Sequence, residues 1–312
     1  MIAGRVRIVL PFALLTAILA ISTSSVFIRF AQAEAPSLVI AALRLTCATA
    51  LLAPLALTRD REELRSLSRN ELLLGATSGI FLALHFATWI SSLEYTSVAS
   101  SVVFVSTGPL WVALLSHIFL RERLTRAAAI GLGIAIAGGA LVGLSDVCFW
   151  EGGLRCPEWS RVLQGRAVWG NFLALAGAWT VSGYLLIGRK LRMRMPLIPY
   201  IFLVYGMCAL ALIIIMFAAG QSPLGYPLPT YGWIFLLAAF PQLIGHSTFN
   251  WALKHMPASL VAVTTLGEPV GSAILAFFIL KESPGIATIA GGVLILAGIV
   301  LASRTANRKE IG

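Results

Sequence analysis

Pro109–Glu122, PLWVALLSHIFLRE, and Pro269–Glu282, PVGSAILAFFILKE, are the stretches on which the fold of this 312-residue chain turns. A shift of 160 residues matches Pro109 with Pro269, Ala113 with Ala273, Leu115 with Leu275, Leu120 with Leu280 and Glu122 with Glu282, and sets Arg121 opposite Lys281. The same register continues into the next apolar run, pairing Ala127 with Ala287, Gly131 with Gly291, Gly138 with Gly298 and Leu141 with Leu301. Apolar helices share residues by chance, but one register that also matches a proline and a basic-acidic pair marks a duplication.

The surrounding sequence puts both copies in a membrane. The chain is 58% apolar and only 12% charged, whereas soluble domains carry roughly 25% charged residues. This argues against a water-soluble enzyme, a disordered chain and a nucleic-acid binder. A helix that crosses a bilayer needs about 20 mostly apolar residues. Ten such runs occur, near 8–28, 37–57, 72–93, 98–119, 127–144, 167–187, 198–219, 231–253, 259–280 and 286–302. The expected fold is an all-α membrane protein of ten transmembrane helices.

Charge then sets the orientation. With the N-terminus in the cytoplasm, seventeen of the 23 Lys and Arg fall in inside segments, five fall outside, and Arg44 lies within a span. Cytoplasmic loops collect Lys and Arg, so both termini are expected inside, and the net charge of +10 calls for no nucleic-acid partner. Arg5 and Arg7 ahead of an apolar run ending in Ala31-Gln32-Ala33 also resemble a secretory signal with its cleavage site. Against that, the apolar run extends to Ile28, and removing it would spoil the repeat. The charged turn from Arg59 to Glu71 reads as a solvated loop. Cys148 and Cys156 share the one substantial outside loop, 145–165, where an oxidising exterior would let them pair; alkylation with and without reductant tests this. Cys47 and Cys208 fall within spans as small apolar residues. No cysteine spacing suits a metal, so neither metal nor cofactor is expected.

Five spans per half force the second half to enter the membrane from the opposite side, making the repeats inverted. Two such halves can exchange conformations around one central site, the architecture of secondary transporters. The two Pro-to-Glu segments, each followed by a Gly-rich span, resemble the EamA-type family of the drug/metabolite transporter superfamily. That resemblance covers nearly the whole chain and implies two five-helix repeats, residues 1–144 and 166–303, joined by the outside loop 145–165 and ending in a cytoplasmic tail, 304–312. It also implies export of a small metabolite across a bacterial-type inner membrane.

Pro109 and Pro269 stand mid-span at equivalent positions. Each frees a carbonyl four residues back, at Val105 and Thr265, and kinks its helix; interrupted helices at matching places point to a site at the membrane midplane. Glu268 is the one acidic residue well inside a span, and a charge there costs roughly 2.5–3.5 kcal/mol unless it turns inward. Thr264, Glu268 and Ser272, four apart, fall on one helical face. Arg44 lies at a compatible depth, so the two charges either pair and lock the bundle or together hold a zwitterion such as an amino acid. An ion pair would keep Glu268 a carboxylate; isolation would let it carry a proton. His85 and His246 are mid-span titratable groups. Trp89 shares a face with His85, and Asn250 with His246. Thr107 and Trp111 on the fourth span, and Trp179 and Tyr184 on the sixth, complete the candidates for cavity lining. Gly131, Ala135, Gly139 and Gly143 form a ladder of small residues suited to close helix packing, within a monomer or across a homodimer.

The expected activity is therefore alternating-access export of a small amphipathic metabolite, with a small molecule and the bilayer as partners and a proton or other ion as coupling partner. A lipid-linked substrate flippase or a drug efflux protein is the alternative. A membrane-embedded enzyme is disfavoured, since no H-E-x-x-H, G-x-S-x-G or nucleotide-binding G-x-x-x-x-G-K-[ST] occurs.

Overall fold

A computed structural model describes residues 2–120, 126–145, 149–150, 154–155, 165–256 and 258–304. Arg121, Glu122, Cys148, Cys156 and the tail after residue 304 lie outside the described residues.

The described chain is helical apart from its turns and one short antiparallel pairing of Phe149–Trp150 with Leu154–Arg155. Helix α1 (Ile2–Ser22) runs past Thr23 into α2 (Ser24–Gln32). Helix α3 (Ser37–Thr58) follows Pro36, and short charged α4 (Arg61–Arg65) leads to α5 (Arg69–Ser92), opened by a capping box between Ser68 and Glu71. Then come α6 (Val98–Val105), α7 (Gly108–Leu120), α8 (Arg126–Ser145), α9 (Arg166–Arg192), and α10 (Leu197–Ala218), which follows Pro196 as α3 follows Pro36. Helix α11 (Leu228–Leu237) passes through a π-helical segment, Ala238–His246, into α12 (Ser247–Ala252). Helices α13 (Ala258–Thr264), α14 (Gly267–Leu275), a second π-helical segment (Ala276–Leu280) and α15 (Ile286–Arg304) complete the fold.

Among the described residues, seven helical runs are long and apolar enough to cross a membrane. Three shorter apolar helices, Val98–Val112, Ala129–Gly143 and Ile286–Leu301, stand where the fourth, fifth and tenth spans are expected. The polarity is that of a membrane protein: Phe12, Leu19, Ile136, Ile214, Phe278 and Val293 point outward, while Arg44, His85, Arg192, Gln242 and Asn250 are buried. Large outward-facing apolar surface is costly in water and matched by lipid.

The main core joins α1, α2, α3, α5, α9, α10 and α11. Close approach depends on glycine: the Cβ that Gly79 lacks would stand 2.8 Å from Val204 O on α10. A second, smaller core holds α8 against α15. There a Cβ on Gly138 would lie 2.6 Å from Gly291 O, and one on Gly298 would lie 2.5 Å from Gly131 O, so the two helices run antiparallel with backbones in contact. The contact face carries Gly131, Ala135, Gly138 and Val142, a correction to the expected ladder. Strict four-residue steps drift around a helix of 3.6 residues per turn, which leaves Gly143 facing open space and Gly139 against Phe104.

Candidate functional site

Two helix interruptions frame the site. Helix α6 stops at Val105 and α7 begins at Gly108, one residue before Pro109; α13 stops at Thr264 and α14 begins at Gly267, two before Pro269. Proline cannot supply the N–H that would continue the ladder, so local donors take over. Thr107 Oγ1 donates to Phe104 O (2.7 Å), Thr264 Oγ1 to Val261 O (2.6 Å) and Thr265 Oγ1 to Ala262 O (2.7 Å), while the Glu268 amide donates to Thr265 O (2.9 Å).

A cavity of about 70 Å³ lies between these interruptions. His85, Trp89, Tyr184, His246, Asn250 and Glu268 all line it, together with Pro109 and Thr265, so the fold brings six of the sequence candidates together from α5, α9, α12, α14 and the first π-helical segment. Several of the polar groups have fixed neighbours. His85 Nδ1 bonds Gly177 O at 3.0 Å, and its ring stacks on Trp89 with centroids 5.8 Å apart. Tyr184 donates to Asn250 Oδ1 (2.6 Å), and Asn250 Nδ2 donates to Tyr205 Oη (3.2 Å). The Tyr205 and Ser247 hydroxyls share a bond of 3.2 Å, and Ser247 donates to Gln242 O.

Arg44 does not line this cavity. It is fully buried, with Nε donating to Gln242 Oε1 (3.1 Å), Nη1 to Ser24 Oγ (3.3 Å), and the guanidinium 4.3 Å from the centre of the Phe86 ring. Its Nη2 is buried without a partner. Of the two arrangements open to Arg44 and Glu268, the ion pair is not formed; the ion pair present among the described residues is Arg29–Glu282 at 3.2 Å. Phe86 lies edge-on to His246 at 5.4 Å, so contact passes from Arg44 through Phe86 to the cavity wall.

Three further candidates fall outside the lining. Thr107 is spent on the helix break and accepts from Trp111 Nε1 at 3.1 Å. Trp179 packs against Trp111 and Phe172 with much of its ring exposed. The stripe of Thr264, Glu268 and Ser272 is also corrected. Spacing by four assumes an unbroken helix, and the interruption at 265–266 makes Thr265 the neighbour of Glu268 in the wall, while Ser272 donates to Ser22 O. Ser24, Phe86, Tyr205 and Gln242 were not anticipated. The nearest signal is Pro241, the one proline within the eighth span, which accompanies the π-helical turn bearing Gln242; such turns recur at functional sites.

A wider chamber of about 630 Å³ opens at one end of the bundle, lined by Arg29, Glu94, Tyr95, Ser97, Glu282 and Thr288 among others. Arg29 ties it together, donating to Leu93 O and to Thr96 O (2.9 Å) and pairing with Glu282, whose other oxygen accepts from the Val98 amide (2.9 Å). At the opposite end Arg189 donates to Leu253 O, and Arg192 donates to Asn250 O (2.9 Å) and Met195 O.

Residues 9–144 and 168–304 match the EamA-like transporter family. An uncharacterized transporter of Archaeoglobus fulgidus is 26% identical over 266 residues, 85% of this chain and 88% of that one. The pseudopaline exporter CntI of Pseudomonas aeruginosa is 26% identical over 241 residues, 77% of this chain and 78% of its own. In three dimensions, a crystal structure sharing 22% of the sequence covers 96% of this chain and 98% of its own length with a TM-score of 0.64, a likeness of fold.

Proposed function

The chain belongs to the EamA-like transporter family of multi-pass membrane proteins, and from that premise we propose that it exports a small amphipathic metabolite by alternating access around the cavity beside Glu268. The observation that carries this reading is the cavity itself, set between two helix interruptions at repeat-equivalent positions and holding a carboxylate. Broken helices at matching places build such midplane sites. The exporter named among the relatives, at 26% identity, supports the outward direction.

Bonds that repeat under the 160-residue shift support two inverted five-helix halves, 1–144 and 166–303. Arg29 to Leu93 O has its counterpart in Arg189 to Leu253 O, and Gln32 Nε2 to Ile90 O (2.8 Å) in Arg192 Nε to Asn250 O (2.9 Å). The contact of Gly298 with Gly131 maps onto that of Gly138 with Gly291, as a two-fold axis between α8 and α15 requires. The expected amino-acid substrate needs Arg44 for its carboxylate, and the walling-off of that guanidinium weakens this half of the expectation.

Glu268 is the group through which ion coupling would run. Proteoliposomes loaded with amino acids, amines and related metabolites, read by mass spectrometry with and without a pH gradient, test this. Selective, gradient-sensitive loss of one solute is expected. Glu268→Gln should abolish or uncouple it in protein that still elutes and melts like the parent; unchanged gradient-driven flux would remove Glu268 from the mechanism. Loss that depends on a lipid headgroup would favour the flippase reading.

A further inference from the structure

Resting on the assignment of the central cavity as the transport site, we propose that it recognises the ammonium end of an amine, and neither a free carboxylate nor a whole zwitterion. The charged inventory is one-sided: Glu268 lines the cavity, and among the described residues no Lys or Arg does. Arg44, the cation read beside Glu268 in the sequence, is committed to Gln242, Ser24 and the face of Phe86, and Arg192 to the Asn250 and Met195 carbonyls.

The neutral groups lean the same way. A backbone carbonyl can only accept, so His85 Nδ1 must carry the proton in its bond to Gly177 O, and in its neutral form the ring offers Nε2 as an acceptor. Tyr184 spends its O–H on Asn250 and Thr265 spends its O–H on Ala262, leaving oxygen lone pairs. Asn250 is used at both ends, toward Tyr184 and toward Tyr205. Against these acceptors stands Trp89 Nε1, a buried donor without a partner; His246 offers one role of each kind. A ligand that must satisfy a carboxylate, an imidazole nitrogen and two oxygens has to be rich in donors. Primary ammonium, with three N–H groups and a positive charge, is such a ligand, and the wall includes the aromatic side chains of Trp89, Tyr184 and Phe249, residue types suited to a cation. Size agrees. At roughly 10–15 Å³ for each water-sized group, 70 Å³ takes about five such groups, an aminoalkyl end and little more.

Three probes of matched size separate the possibilities: propylammonium, propionate and β-alanine, titrated calorimetrically into the full chain in lipid nanodiscs. Propylammonium should bind, with propionate and β-alanine at least tenfold weaker. Loss of a charge-assisted bond should weaken propylammonium by about tenfold to a hundredfold in Glu268→Gln, with Glu268→Asp recovering part of the affinity. Propionate or β-alanine binding as tightly as propylammonium would overturn the inference. If propylammonium fails to bind while Glu268→Gln still abolishes metabolite efflux, the transport site stands and the amine preference falls. If efflux survives that substitution and propylammonium binding is untouched by it, the site itself lies elsewhere and the inference falls with it.

Discussion

Arg44 ties its own helix to three other elements through neutral partners. Its guanidinium links α3 to Gln242 on the first π-helical segment and to Ser24 on α2, over the face of Phe86 on α5. Removing it deletes packing and leaves the Gln242 oxygen buried without a donor, so Arg44→Ala should cost about 2–4 kcal/mol, read as a lower thermal unfolding midpoint in detergent. Arg44→Met, which keeps the volume and buries no charge, should recover part of the loss. A side chain whose business was substrate would behave differently, losing binding while the melting curve stayed put. Much of the cavity was legible because a polar side chain in an apolar span must turn inward, and that reasoning, with four-residue spacing for Trp89 and Asn250, gathered His85, Trp89, Tyr184, His246, Asn250 and Glu268. It failed for Trp179, whose amphipathic ring is as comfortable toward lipid. It also set Arg44 beside Glu268, as an ion-pair partner or a joint holder of substrate, because sequence displays charges and conceals an amide 198 positions away. Gln242 had no charge to announce it.

Between elements, the α8–α15 contact is the most exposed to a single-atom test. Backbone atoms stand where a Cβ on Gly138 would go, at 2.6 Å from Gly291 O and 2.9 Å from Ile295 N, whereas nothing lies within 4 Å of a Cβ on Gly133. Gly138→Ala must push the helices apart, since neither backbone can swing aside as a side chain would, and a loss of about 1–3 kcal/mol is expected. Gly133→Ala meets no obstacle and gains helix propensity, so its melting midpoint should equal or exceed that of the parent. Equal behaviour of the two variants would mean that the helices do not meet along this face. Small residues at roughly helical spacing were visible in the sequence, and so was the need for a close partner; the face was misjudged because counting by fours ignores the fractional turn. The interruptions at 106–107 and 265–266 have the same moral. The prolines foretold them, but the rotation that a break imposes on downstream residues, setting Thr265 in the wall in place of Thr264, belongs to the three-dimensional path of the chain.

Across the whole molecule, the segments assigned to one side of the membrane by alternating passage also gather at one end of the bundle. Arg29, Glu94–Ser97 and Glu282–Thr288 come from three separate connections and meet around the 630 Å³ chamber, while Arg189, Arg192, Met195 and Leu253 meet at the other end. The first group carries few basic residues in its connections and the second many, so the positive-inside bias predicts that the chamber faces the exterior. Five spans in each half, as proposed, would set repeat-equivalent Arg29 and Arg189 at opposite ends, each donating to a carbonyl 64 residues further on. Labelling tests the arrangement directly. With Cys148→Ser and Cys156→Ser as background, Ser222→Cys in the turn after α10 should react with a membrane-impermeant maleimide in intact cells, and Ser66→Cys in the turn before α5 only after the cells are opened. The reverse pattern would invert the molecule and turn the chamber to the cytoplasm. Labelling of both sites in intact cells would mean that an odd number of crossings separates neither from the other, and the five-span half would have to be abandoned.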